Sequence, residues 1–142
     1  MSSLSSVMAE VASSLGCSAL VCVDLGKGEV VGFTDVEGRY GAELQDLLGY
    51  AAADLLEGPT VKVLEVMNQE SGGGDGAVGE VVVFRAGQAY VFMRVPGVGG
   101  FALGAVCEES RNANLLLIKC RQACSKMEAV LAGYVQKGGG GE

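Results

Sequence analysis

The stretch Cys107–Gln122, CEESRNANLLLIKCRQ, decides how the chain is read. An apolar run ends in charged residues, Asn-Ala-Asn follows, and then come four apolar residues, Leu115 to Ile118. Asparagine side chains accept hydrogen bonds from the free N–H groups at a helix start. Asn112 or Asn114 therefore marks the N-terminus of a helix that runs to about 135. On its buried side it carries Leu116, Cys120, Ala123, Met127, Val130, Leu131 and Tyr134. The apolar run is expected to bury the helix start as it crosses a sheet.

Upstream of this stretch lie three β-rich runs, EVVVFRA (80–86), QAYVFMRV (88–95) and FALGAVCE (101–108). A tight turn at Gly87 and the PGVGG loop separate them, the pattern of an antiparallel meander. At the N-terminus Leu4, Val7, Met8, Val11, Ala12 and Leu15 recur at helical spacing. Ser2 or Ser3 caps that helix and Gly16 ends it. Two further β-rich runs, about 17–24 and 29–35, flank LGKG and form a hairpin. A short helix begins near Pro59, a residue suited to a first helical turn. The glycine-rich segment 71–79 is expected to be a flexible loop and 136–142 a disordered tail. One domain over 1–135 results. Its fold class is α/β: a sandwich with a five-stranded, mainly antiparallel sheet between helices, in the order α-β-β-α(α)-β-β-β-α.

The helix of about 39–57 has three faces when wound at 3.6 residues per turn. Leu44, Leu47, Leu48, Ala51 and Leu55 share a narrow face expected to meet the sheet. Glu43, Asp46, Tyr50, Asp54 and Glu57 form an acidic stripe, the candidate partner-binding surface. Between them Ala42, Gln45, Gly49, Ala52, Ala53 and Leu56 make a small-residue face that lets a second backbone approach. A glycine inside a helix costs about 1 kcal/mol relative to alanine, so Gly49 is expected to serve packing.

Composition narrows the function. The chain has 142 residues, a net charge of −7, no His and no Trp. An acidic balance argues against general nucleic-acid binding. No apolar run is long enough to span a bilayer, and the start lacks a secretory pattern, so a cytoplasmic location is the expectation. The five cysteines, Cys17, Cys22, Cys107, Cys120 and Cys124, are odd in number and lack a C-x-x-C pair. They read as small buried hydrophobes rather than as disulfides or zinc ligands. Without histidine the commonest general base is missing, and SGGGDG lacks the Lys-Ser/Thr ending of a phosphate loop. The carboxylate pairs Asp35/Glu37 and Glu108/Glu109 lie at strand ends, where solvated charge is ordinary. Neither catalysis nor a cofactor or metal is expected. Charge is segregated: residues 35–57 hold Asp35, Glu37, Glu43, Asp46, Asp54 and Glu57 against Arg39. Residues 111–137 hold Arg111, Lys119, Arg121, Lys126 and Lys137 against Glu128. Opposed patches of this kind steer partners or align copies.

The element order, with Ala113, Asn114 and Leu115 opening the last helix, resembles the roadblock / dynein light chain domain over about residues 3–135. Bacterial and archaeal members of that family include a gliding-motility regulator that acts with a Ras-like GTPase. Two departures stand out: Leu116 occupies a position that is often Gly, and the 59–79 segment is longer than in minimal members. The resemblance implies a homodimer in which third strands and second helices pair across a two-fold axis. Here these are EVVVFRA, with Val81 and Val83, and the small face of the 39–57 helix. It also implies a small GTPase as partner, with no membrane insertion and no nucleic acid. The resemblance leaves activation and scaffolding equally open. A different class, a small-molecule sensor, requires a ligand cavity among Phe33, Phe92, Phe101 and Met93. A cysteine-based redox enzyme requires an activated thiolate.

Overall fold

The computed structural model describes residues 3–36, 38, 41–70, 79–85, 87–98, 100–108 and 113–134. The expected loop at 71–78 and the tail lie outside these residues, as do Glu37, Arg39, Ala86, Glu109, Arg111, Asn112 and Lys137. Among the described residues nine elements follow one another: α1 (Leu4–Leu15), β1 (Ala19–Asp24), β2 (Glu29–Asp35), α2 (Ala42–Glu57), α3 (Pro59–Glu70), β3 (Glu80–Arg85), β4 (Gln88–Arg94), β5 (Phe101–Cys107) and α4 (Ala113–Tyr134). The order is the one read from the sequence.

Local chemistry sets the element ends. The Ser3 hydroxyl accepts the Ser6 N–H at 3.1 Å, satisfying a donor at the start of α1. Gly16, at φ 68°, takes the left-handed conformation that closes α1, its N–H returning to Ala12 O. Gly87, at φ 77°, reverses the chain between β3 and β4 as the sequence predicts. Pro59 opens α3.

The strands form one antiparallel sheet in the order β2-β1-β5-β4-β3. β5 is central and all seven of its residues are buried, which explains its unbroken apolar run. Alternation along the strands divides the interior in two. On one face Leu20, Cys22, Val91, Met93, Leu103 and Ala105 meet α1 and α4. On the other, Val21, Val23, Phe92, Ala102 and Val106 meet α2 through Leu48, Ala52 and Leu56. β3 is an edge strand, with Val83 and Phe84 exposed.

Leu131 is fully buried where α4 meets the sheet. Removing such a side chain forfeits its transfer free energy and leaves a cavity. Leu131→Ala is expected to lower unfolding stability by about 3 kcal/mol, read from the urea midpoint at unchanged slope.

The helix that opens on Ala113 departs from expectation in its apolar run. Asn114 lies inside α4, and Asn112, the other cap candidate, lies outside the described residues. Leu116 and Leu117 pack on the core, but Leu115 and Ile118 are 50% and 48% exposed. Four consecutive residues sweep most of the way around a helix, so they cannot all face one sheet. Tyr134 is partly exposed, its ring edge-on to Phe101 at 6.2 Å.

Candidate functional site

The exposed faces of α2 and β3 make the candidate site. The seam of α2 against the sheet consists of Leu48, Gly49, Ala52 and Leu56. On the face expected to meet the sheet, Leu48 is buried and Leu44, Ala51 and Leu55 pack partly on the core, so the sequence reading holds there except at Leu47. Leu47, expected to meet the sheet, is 60% exposed, whereas Gly49, Ala52 and Leu56, assigned to a second copy, are filled by the chain's own core. Gly49 shows why. A Cβ placed there would lie 2.7 Å from Val30 Cγ2, so the missing side chain lets α2 settle against β2. The other residues of the small-residue face differ: Ala42 is exposed, while Gln45 and Ala53 are half-buried.

The two flanks of α2 look in different directions. Gln45, Asp46 and Tyr50 share a shallow cleft with Gly28, Glu29 and Val30, which places that flank over the β1–β2 hairpin. Helical spacing then turns the opposite flank, Leu44, Leu47, Ala51 and Leu55, toward β4 and β3. Leu44, Ala51 and Leu55 pack partly on the same core as Val81 and Tyr90. Val81 and Val83 alternate onto this face of the sheet, Val81 half-buried and Val83 39% exposed. An apolar flank thus runs from α2 down to the β3 edge. The sequence reading missed it because the same leucines were assigned to the sheet.

The acidic stripe points outward. Glu43, Asp46 and Asp54 are exposed, and Tyr50 stands 68% exposed among them. Glu57 differs from the others. Its carboxylate pairs with Arg94 at 2.9 Å, and Arg94 also donates to Leu56 O at 2.7 Å. A guanidinium at the C-terminal end of a helix satisfies free carbonyls and the negative end of the dipole. Arg94 thus ties the end of β4 to the end of α2. Its signal in the sequence was a lone cation closing an apolar strand run.

On the opposite face of the sheet, α4 carries Lys119, Arg121 and Lys126. Arg121 grips both oxygens of Glu80 at 2.6 and 2.7 Å and holds that carboxyl below its ordinary range. Lys126 lies 3.7 Å from Glu10. The segregation of charge across the sheet is therefore real for α2, and partly neutralised on α4 by the chain's own acids.

The other candidate chemistry does not assemble. Phe33 and Phe92 lie on the α2 side of the sheet, while Phe101 and Met93 lie on the α1/α4 side. The sensor cavity among them is contradicted, because neighbours on a strand point to opposite faces. The small apolar void beneath α4 is about 10 Å³, room for one water at most. Among the described residues no three His, Cys, Asp or Glu side chains are placed to hold a metal ion. None of the described helices is long and apolar enough to cross a membrane.

All five cysteines are free and buried. Burial pushes the thiols of Cys17, Cys22, Cys120 and Cys124 up to about 12 and that of Cys107 to about 11. Thiols of that kind are poor nucleophiles. Iodoacetamide at pH 8 is expected to leave the native chain unmodified and to alkylate all five cysteines in urea, as counted by mass spectrometry. The folded thiols hold protons that the unfolded ones lose from about 9 upward. Their stabilising contribution is complete below that value and is lost as pH rises toward 12, so the urea midpoint should begin to fall near pH 9.

The arrangement of helices about an open five-stranded sheet is similar in fold to several solved structures, a Roadblock/LC7 domain among them. The fold closely follows MglB of Myxococcus xanthus, with TM-score 0.67, 10% identity, and 92% of this chain and 95% of that one covered. A Roadblock/LC7 domain from Streptomyces avermitilis gives TM-score 0.67 at 15% identity, covering 92% and 99%. Gliding protein MglB from Thermus thermophilus gives 0.66 at 14%, covering 87% and 84%. An MglB with a tetrameric arrangement gives 0.67 at 14% over the same shares. At these identities the likeness establishes the fold. No protein-family model matches the sequence. A search of curated proteins finds no relative.

Proposed function

We propose that the chain is a non-catalytic, homodimeric interaction module of the cytoplasm that binds and regulates a Ras-like small GTPase. The observation that carries this reading is the outward face of α2, where Tyr50 stands exposed among Glu43, Asp46 and Asp54. A large aromatic anchor with a charged rim is the anatomy of a protein-binding hot spot. Likeness in fold to MglB, one example of which carries the name gliding protein, agrees with the resemblance read from the sequence, whose gliding-motility member acts with a Ras-like GTPase.

Dimerisation would join the β3 edges, covering N–H and C=O groups that an edge strand otherwise offers to any passing chain. On the α2 side the contact would come from Val81, Val83 and the Leu44/Leu47/Ala51/Leu55 flank, with Ala42, Gln45 and Ala53 peripheral. Gly49, Ala52 and Leu56 stay with their own sheet. The MglB in a tetrameric arrangement supports self-assembly of this fold. Two α2 stripes, one from each copy, would then form a composite surface for one GTPase.

Ala42–Glu57 contains no Lys or Arg. This agrees with what the resemblance implies, a regulator that orders the GTPase's own switch loops without inserting an arginine, or a scaffold that holds it in place. Glu57, engaged by Arg94, braces the helix end rather than meeting the partner. Sedimentation equilibrium tests the homodimer: the reading expects twice the 14.5 kDa chain mass, and a monomer at all concentrations would refute it.

A further inference from the structure

β3 is bracketed by exposed apolar side chains on both faces of the sheet, and this fixes more than the fact of pairing. Val83 lies on the α2 face with Val81. Glu80, Val82 and Phe84 alternate onto the α4 face, where Val82 packs on the core, Glu80 is held by Arg121, and Phe84 stands 57% exposed. Arg121 pins α4 beside the edge. Ile118, one turn before Arg121, lies on the same exposed flank.

Residues directly opposite in an antiparallel pair share a face of the sheet. Two copies of one strand related by a two-fold axis perpendicular to the sheet must therefore place some residue opposite its own mate. For Glu80–Arg85 only Val82 or Val83 can occupy the axis with all but one residue still paired. Putting Val83 on the axis pairs Val82 with the mate's Phe84 on the α4 face, apolar on apolar, but on the α2 face it sets Val81 against the mate's Arg85, a cation with no aromatic ring to stack on. Putting Val82 there sets Val81 against Val83 on the α2 face, apolar on apolar. It also sets Phe84 opposite Glu80 on the α4 face. Glu80 carries the guanidinium of Arg121, gripped through both oxygens and so presented as a fixed plane.

We infer that a second copy pairs with Val82 on the symmetry axis, and that Phe84 of each copy stacks on the Glu80-bound guanidinium of Arg121 in the other. The inference rests on the homodimer proposed above and adds its register and a second contact layer on the α4 side. That layer gives Phe84 and Ile118 a purpose the chain's own core does not. A guanidinium over an aromatic face is favourable, and more so as the pair leaves water.

Single-cysteine cross-linking tests it, because the native thiols are buried and a residue on the axis meets its own mate. Val82→Cys and Val83→Cys would each be oxidised mildly with copper–phenanthroline, beside the unsubstituted chain and with sedimentation of all three. The expected result is a covalent dimer from Val82→Cys and none from Val83→Cys. Phe84→Ala and Arg121→Ala should each weaken the dimer roughly tenfold, and together little more than either alone. Cross-linking at Val83 alone, or a dimer that links at neither position, would overturn the register and leave the homodimer standing. A monomer throughout would sink the homodimer itself, and the register with it.

Discussion

Gly49→Arg is expected to destabilise the fold of the single chain by about 3 kcal/mol or more, the range for overpacking a closed interior with a long charged side chain. The first carbon added at Gly49 meets Val30 Cγ2 at 2.7 Å, before any of the guanidinium is placed. α2 would have to lift from β2, pulling Leu48, Ala52 and Leu56 off the core they fill. The loss should show in the urea midpoint at protein concentrations where the chain is monomeric, with hydrogen exchange accelerated first in α2. This separates the packing seen in the structure from the sequence reading, in which Gly49 faces a second copy. On that reading the same substitution would leave monomer stability within about 0.5 kcal/mol, as surface changes do, and break only the dimer. Gly49→Ala is the milder control, since its one carbon needs only a small shift of the Val30 methyl group.

Asp46→Lys combined with Asp54→Lys is expected to abolish capture of the partner while leaving the fold intact. Both carboxylates are exposed on the outward face of α2. Reversing them turns a stripe shared with Glu43 and Tyr50 from acidic to mixed. Charge at the rim of an interface acts mainly on association rate and on rejection of wrong partners, and like charges brought together cost several kcal/mol. Circular dichroism and the urea midpoint should match the unsubstituted chain to within about 0.5 kcal/mol. Unchanged capture would remove this stripe from the binding surface. Glu57→Gln belongs in the same series as a contrast. Its partner is Arg94, so it should weaken the anchoring of the α2 end more than it alters capture.

The fold was largely legible because glycine, proline and period punctuate the chain clearly. Gly16 and Gly87 end elements through positive φ, Pro59 starts one, and β5 reads as a continuous apolar run because helices cover it on both sides. The faces of α2 were not legible. Its leucines at 44, 47, 48, 55 and 56 spread over about half the helix circumference, wider than one packing seam, so hydrophobicity alone does not select the seam. Selection came from Val30 on a distant strand, which needs a residue without a side chain opposite it. The apolar run after Asn114 was ambiguous in the same way. Leu116 and Leu117 turn inward, while Leu115 and Ile118 turn out, and only the angle of α4 on the sheet decides which. The bridges from Arg94 to Glu57 and from Arg121 to Glu80 join residues tens of positions apart, beyond the reach of any local pattern. The acidic stripe was legible because it required only helical spacing and solvent.

Affinity capture from the native cell extract, loaded once with a non-hydrolysable GTP analogue and once with GDP, tests the account most directly. A Ras-like small GTPase identified by mass spectrometry, recovered preferentially with the GTP analogue and lost with the Asp46/Asp54 reversal, is the predicted result. Recovery of no small GTPase in either nucleotide state, from a chain that is folded and dimeric, would contradict it.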